Sequence, residues 1–264
     1  MQKGFTLVEL AIVMTIIGLL IGGVLKGQEL IFNARAQSTI EEVQSYQAAS
    51  QTFRDKHSQL PGDMANATRK LSNCTAAVGC ANGNADNIIG DVPPTSGPPW
   101  QRHNFNRDQA INAAPENETM LFWKHLALSD IISGVSPIGD MNNPIWGETH
   151  PISSMGIGGY HIMTQTNNVR LWQGADYEER PIGLGHYIRL QAPISGTPLA
   201  GPGKGSISDY RAEYIDRKMD DGDTTTGNVL AMKSGWAVCK PPENTWGMQC
   251  SSTTNDCGMM FKLQ

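Results

Sequence analysis

Residues 5–25 read FTLVELAIVMTIIGLLIGGVL, and this stretch decides the architecture. It holds a single ionisable side chain, Glu9. A helix needs about 20 predominantly apolar residues to cross a hydrocarbon core of roughly 30 Å, so the run is long enough to span a bilayer. Lys3-Gly4 precedes it, and no A-x-A-like cleavage site follows Leu25 closely, which is not the order of an ordinary secretory signal. The stretch reads as a retained membrane helix behind a very short leader, residues 1–4. Lys3 favours a cytoplasmic amino terminus. The chain from about Gln28 onward is then expected outside.

Glu9 is the informative residue of this helix. A carboxylate within hydrocarbon costs a few kcal/mol on insertion scales, so an intramembrane charge calls for a partner. No Lys, Arg or His lies within reach along the helix, and Lys3 is six positions away at the interface. The partner is therefore expected from another chain or from a newly made amino terminus. A competing reading keeps Glu9 shallow, snorkelling toward the cytoplasmic face.

Gly4-Phe5-Thr6-Leu7-Val8-Glu9-Leu10 resembles the cleavage and methylation motif of type IV prepilins and type II secretion pseudopilins. The resemblance implies cleavage between Gly4 and Phe5 by a membrane-embedded prepilin peptidase, and N-methylation of Phe5. It also implies that Glu9 neutralises the amino terminus of a neighbouring subunit during assembly. The chain departs from the pattern where many pilins carry a proline, because Lys26 stands there. Gly18, Gly22, Gly23 and Gly27 surround that point. Interior glycine costs a helix about 1 kcal/mol against alanine, which leaves residues 22–27 open to local loosening when subunits pack. Close packing of membrane helices on small residues is the alternative.

From Gln28 to about Lys56 the pattern becomes amphipathic, with Leu30, Ile31, Ala34, Ile40, Val43, Tyr46, Ala49 and Phe53 near a 3–4 spacing. No Gly or Pro interrupts residues 28–60, so one continuous helix over 5–57 is expected, membrane-spanning at about 5–25. Leu60-Pro61-Gly62-Asp63 ends it. Residues 58–264 then form the periplasmic or extracellular head. Within it, residues 64–73 predict a short helical turn, and 74–115 an irregular excursion rich in Gly, Pro, Asn and Cys. Residues 116–133 predict an amphipathic helix with Leu121, Phe122, His125, Leu126 and Ile132 near its apolar side. His125 there reads as a packed histidine. Strands are expected at Gly159–Thr166, Gly185–Gln191 and Val229–Val238, the first two suggesting a sheet with one solvated face. Ser206–Met219 reads as a helix with Ile207, Tyr210, Tyr214 and Ile215 on one side, stopping at Asp220-Asp221-Gly222.

These elements predict an α+β fold: a long amino-terminal helix on a head with an antiparallel sheet and further helices. LPGDMANAT (60–68), the 116–133 segment and YIDRKMDDGDTTTGNV (214–229) are also similar to a large-headed subset of pilin-like proteins. The resemblance implies a structural subunit rather than an enzyme, anchored in the bacterial inner membrane and then assembled with other pilins or pseudopilins. The large irregular head favours a minor subunit. A filament-displayed binding module for adhesion, DNA uptake or contact with a secreted substrate is the alternative, motivated by the aromatic loop 93–107.

The formal charge of −5 gives no basic footprint, so nucleic-acid binding is not indicated. Asp216, Asp220, Asp221 and Asp223 form the best metal candidate, since calcium accepts several carboxylates clustered around a Gly turn. Lys218 occupies an alternate position where an EF-hand would place a ligand, and Gly222 falls one residue late, so a solvated turn competes with that reading. Some pseudopilins bind calcium in a loop of the head, which the resemblance adds. The five cysteines lie beyond the membrane helix, in an oxidising compartment on this topology. Cys74–Cys80 is the first expected pair and Cys239–Cys250 the second, ahead of Cys250–Cys257, with one thiol left over. The histidines show no ligand spacing, and no G-x-S-x-G or P-loop motif occurs. Gly156-Ile157-Gly158-Gly159 reads as loop glycine, and the tryptophans, apart from Trp100 in its Pro-rich loop, as core.

Overall fold

The computed structural model describes residues 6–90, 118–141, 145–156, 158–165, 185–191, 207–233 and 257–263. Helix α1 runs Leu7–His57 without a break, 51 residues that measure about 77 Å at 1.5 Å per residue. Thr6 starts it as N-cap, and Ser58 ends it in the left-handed region (φ 57°), its N–H donating to the Arg54 carbonyl. Arg54, Lys56 and His57 in the last turn complement the helix dipole. The loosening expected at residues 22–27 concerns packed subunits; in the single chain the stretch is helical. All four glycines stay helical, with no atom within 4 Å of where a Cβ would sit.

The helix divides sharply by environment. Leu7 to Ile31 is exposed along its apolar residues, Leu7 and Leu19 reaching 85% and 78%. Ala36, Ile40, Val43, Tyr46, Ala49 and Phe53 are buried at the 3–4 spacing of one helical face. Leu30 and Ile31, expected on that face, are exposed instead, because the head's packing on α1 begins at Phe32, and Ala34 is exposed as well. Tyr46 sits at the centre of the contact, edge-on to both Trp123 and Tyr160 with ring centroids 5.1 and 5.3 Å away.

After the Pro61-Gly62 turn come the short helix α2 (Ala67–Lys70) and a 3-10 turn at Ala76–Val78. Helix α3 (Glu118–Leu128) ends five residues short of the predicted 133 and is not one-sided. Every residue from Glu118 to Ala127 is buried. Burial on all sides is tolerable because its charged members are hydrogen-bonded: Lys124 Nζ donates to the Pro137 and Gly139 carbonyls at 3.1 and 2.9 Å. Helix α4 (Asp209–Met219) buries Ala212 and Ile215, whereas Tyr210, expected with them, is 70% exposed.

Strands β1 (Gly159–Gln165), β2 (Gly185–Gln191), β3 (Val229–Lys233) and β4 (Cys257–Lys262) form one antiparallel sheet in the order β1-β2-β4-β3. Registry aligns two cross-strand rows on the core face: Tyr160–Leu190–Met259–Ala231 and Ile162–Ile188–Phe261–Val229. The expectation of one solvated face is corrected here. The opposite row, His161–Arg189–Met260–Leu230, is buried as well, so the sheet is covered on both sides. The fold is α+β, with α1 and α3 bracketing the aromatic core.

Candidate functional site: the amino-terminal helix and the head's carboxylates

Gly4 and Phe5 lie outside the described residues, which begin at Thr6. From there a reciprocal capping box forms. The Thr6 N–H and hydroxyl both donate to Glu9 Oε2, at 2.9 and 2.8 Å, and the Glu9 N–H donates to Thr6 Oγ1 at 3.3 Å. The geometry satisfies two orphan donors of the helix start and places a negative charge at the positive end of the helix dipole. Glu9 therefore has a neutral partner in its own chain, which the sequence reading missed although Thr6-x-x-Glu9 spells the motif. Among the described residues no cation pairs with it. Lys26 pairs instead with Glu29 at 2.8 Å, where the apolar run ends. Leu7–His57 is, among the described residues, the one helix long and apolar enough to cross a membrane, and its most apolar stretch is entirely unburied.

Three carboxylate centres hold the head. Glu42 of α1 accepts from the Tyr160 hydroxyl at 2.6 Å and from the Ser154 N–H and hydroxyl, joining helix to sheet. Asp63 and Glu118 clamp one loop from both ends. Asp63 Oδ1 and Oδ2 accept the Asp86 and Asn87 N–H groups at 3.0 and 2.8 Å, and Glu118 accepts those of Asn84 and Gly90 at 2.8 and 2.9 Å. Burial pushes the Glu118 carboxyl up to about 7 against those bonds, and raises Asp63 too. Asp63, Asp86 and Glu118 bring oxygens within 4.8 Å of one another. Both buried carboxylates are already engaged by backbone, so this group acts as a loop clamp. Gly83 enables it, because a Cβ there would strike the Gly62 carbonyl and the Asp63 backbone.

The third centre is the turn after α4, where Asp216, Asp220 and Asp221 each bring an oxygen within 4.8 Å of the others. Asp223, the fourth residue expected there, is turned to other use, accepting the Thr225 N–H at 3.0 Å and its hydroxyl at 2.6 Å. Burial first, then neighbouring Asp221, Asp220 and Asp223, push the Asp216 carboxyl up to about 7.

His125 is buried, as its helical position suggested. Its Nδ1 accepts the Gly62 N–H at 3.0 Å and its Nε2 faces the Ala81 carbonyl at 3.0 Å, which fixes the neutral Nε2–H tautomer. Cys74 and Cys80 are joined, their Cα atoms 5.0 Å apart. Cys257 is disulfide-bonded as well. Cys239 and Cys250, the second expected pair, lie outside the described residues. Trp123 is core, Trp146 is half-buried, and Trp100, Trp172, Trp236 and Trp246 fall outside the described residues, as does the loop 93–107.

An exposed apolar helix that continues without interruption into the core of an α+β head fits a membrane-anchored precursor. Residues 1–25 match the family described as the prokaryotic N-terminal methylation motif, the signature of type IV pilins and pseudopilins. The chain therefore carries a type IV pilin-like amino terminus, which points to a structural-subunit family processed by prepilin peptidase and assembled with other pilins. No curated relative and no solved structure matches the chain.

Proposed function

We propose that the chain is a minor structural subunit of a type IV pilus or type II secretion pseudopilus, without catalytic activity. Prepilin peptidase cuts between Gly4 and Phe5, Phe5 is N-methylated, and α1 carries the subunit from the inner membrane into the filament. Before assembly the amino terminus faces the cytoplasm and the head the periplasm. The observation that supports this reading is the Thr6–Glu9 capping box at the tip of an apolar helix segment that the head leaves wholly uncovered. In a bilayer, lipid covers that segment. In a filament, the same segments of neighbouring subunits do so.

The capping box refines the role of Glu9. While the subunit waits in the membrane, Thr6 supplies hydrogen bonds that lower the cost of holding the carboxylate there. On docking, the ammonium of a neighbour's Phe5 adds an opposite charge in a low-dielectric setting, where such a pair is worth far more than at a surface. Glu9→Gln separates the two contributions, because its amide oxygen still accepts from Thr6 but carries no charge. Mass spectrometry of the mature chain is expected to show methylated Phe5 as the first residue. Both Glu9→Ala and Glu9→Gln are expected to be cleaved normally and to drop out of purified filaments at least tenfold. Normal incorporation of Glu9→Gln would sink the charge-pairing role.

A further inference from the structure

The rim of the head nearest the apolar segment of α1 carries two arginines that the fold does not set against a carboxylate. Arg211, near the start of α4, holds its guanidinium 4.7 Å over the Phe32 ring. Arg35 follows Phe32 by three residues on α1, and residues so spaced share one side of a helix. Both arginines are exposed, and among the described residues neither pairs with an acid; Arg35 makes a 3.4 Å bond to the Met155 carbonyl. Glu29 and Glu213, on the same two helices, are engaged elsewhere, by Lys26 and Arg217. Tyr210, next to Arg211, is 70% exposed.

Helix geometry sets the height of this patch above a bilayer. The apolar run ends at Leu25, and Phe32 stands seven residues further on, about 10 Å at 1.5 Å per residue. Side chains on a helix lean toward its amino terminus, so the Phe32 ring and the guanidinium resting on it sit closer to the membrane than the Phe32 Cα. A bilayer is roughly 30 Å thick in its hydrocarbon and about 40–45 Å with its headgroups, which leaves about 5–8 Å of headgroup layer on each side. The patch therefore stands at the outer edge of that layer. The acidic turn after α4 begins nine residues past Arg211, about 13 Å along the helix, so its charges lie away from the guanidinium.

We propose that Arg35, Arg211 and Tyr210 seat the head on anionic phospholipid headgroups while the subunit waits in the membrane, an inference that rests on α1 spanning the bilayer. A guanidinium donates paired hydrogen bonds to phosphate oxygens, and tyrosine settles at the membrane–water boundary with its ring low and its hydroxyl wet. Because both arginines sit on one side of α1, the contact is one-sided. It fixes the rotation and tilt of the helix, which interfacial anchors of this kind set. The subunit is thereby presented to its assembly partners in one orientation.

The test uses the full-length chain in nanodiscs of phosphatidylcholine alone or mixed with phosphatidylglycerol, with hydrogen exchange read peptide by peptide. Peptides covering residues 30–36 and 209–214 are expected to exchange more slowly in the anionic discs, by roughly threefold or more, and the difference to shrink in high salt. Arg35→Gln with Arg211→Gln is expected to abolish the difference. Arg35→Lys with Arg211→Lys is expected to keep much of it, which separates charge from packing on Phe32. Should the glutamine pair not fold, the salt dependence of the wild type decides. Equal exchange in the two discs, a difference that survives the glutamine pair, or the same protection from inorganic phosphate added to neutral discs would overturn the lipid assignment. Equal exchange together with a loss of the glutamine pair from filaments would assign the arginines to a neighbouring subunit instead. Residues 7–25 report the anchor separately. Slow exchange there in both discs leaves the membrane span standing whatever the arginines do, whereas fast exchange there in both sinks the span and the lipid contact together.

Discussion

His125 shows how a histidine inside the head acquires a pH signature. It is held neutral by accepting from Gly62 and donating to Ala81, with Phe53 stacked alongside at 6.3 Å between centroids. Burial lowers its pKa from 6.5 to about 4. A base depressed in the folded state is protonated first in the unfolded chain. Its contribution is therefore complete above the unfolded value and is lost as pH falls from about 6.5 toward 4. Over pH 7 to 4.5 this amounts to about 2 kcal/mol of stability. Glu118 acts with the opposite sign. Its pKa is raised to about 7, so between the two values the folded state holds the extra proton and gains stability as pH falls. In the wild type Glu118 therefore offsets His125, and Asp216, also raised to about 7, acts with the same sign as Glu118. The His125→Gln variant, followed by urea unfolding at pH 7 and 4.5, isolates one side: it is expected to gain about 2 kcal/mol on the wild type as the pH is lowered. Parallel pH profiles for the two proteins would refute the assignment.

Helix α1 was the most legible element, because 51 residues without proline and with a shift from all-round apolar to a 3–4 pattern leave few alternatives. Its glycines lie within regular helix in the single chain, and the loosening expected on subunit packing is a property of the assembly. Four intact i→i−4 turns on either side outweigh a local propensity cost of about 1 kcal/mol per glycine. Strand β4 was missed because Cys257-Gly258-Met259-Met260-Phe261-Lys262 has neither β-branched residues nor alternation, being buried on both faces. The loop clamp of Asp63 and Glu118 was invisible for another reason: the partners are backbone N–H groups, which carry no residue identity. By contrast Thr6-x-x-Glu9 is legible in the sequence, because both capping partners are side chains with a residue identity. The glycines of α1 now support a prediction. Open space surrounds Gly22 and Gly23 in the isolated subunit, so Gly22→Ala with Gly23→Ala is expected to stabilise the helix by about 1 kcal/mol per site. The head should melt unchanged, while incorporation into filaments falls, because added methyl groups separate helices that pack on small residues. Circular dichroism in detergent and filament yield check the two halves, and undiminished yield would show that the glycines make no contact between subunits.

Across the whole molecule, the boundary between what the head needs and what a membrane or filament must cover falls within α1. Among the described residues of the head, none buries the apolar side chains of residues 7–31, and exposed apolar surface on this scale marks a surface meant to be covered. Packing starts at Phe32, whose ring meets Tyr214 at 5.5 Å and carries Arg211 above it at 4.7 Å, and becomes full burial at Ala36. A chain shortened to begin at Gln28 keeps every one of these contacts and loses only surface that is already exposed. It is expected to be soluble, to retain the Cys74–Cys80 bridge, and to melt within a few degrees of the full chain in detergent. Beginning instead at Glu41 removes Phe32, Ala36, Thr39 and Ile40. Loss of one large buried aliphatic side chain alone costs about 2–5 kcal/mol, a large share of a domain's 5–15 kcal/mol, so this second fragment is expected to be largely unfolded at 25 °C. Thermal unfolding of the two fragments side by side decides the point. Equal stability would mean that the head's core ends further along α1 than Phe32, and a Gln28 fragment that fails to fold would mean that the apolar segment supports the head as well as anchoring it.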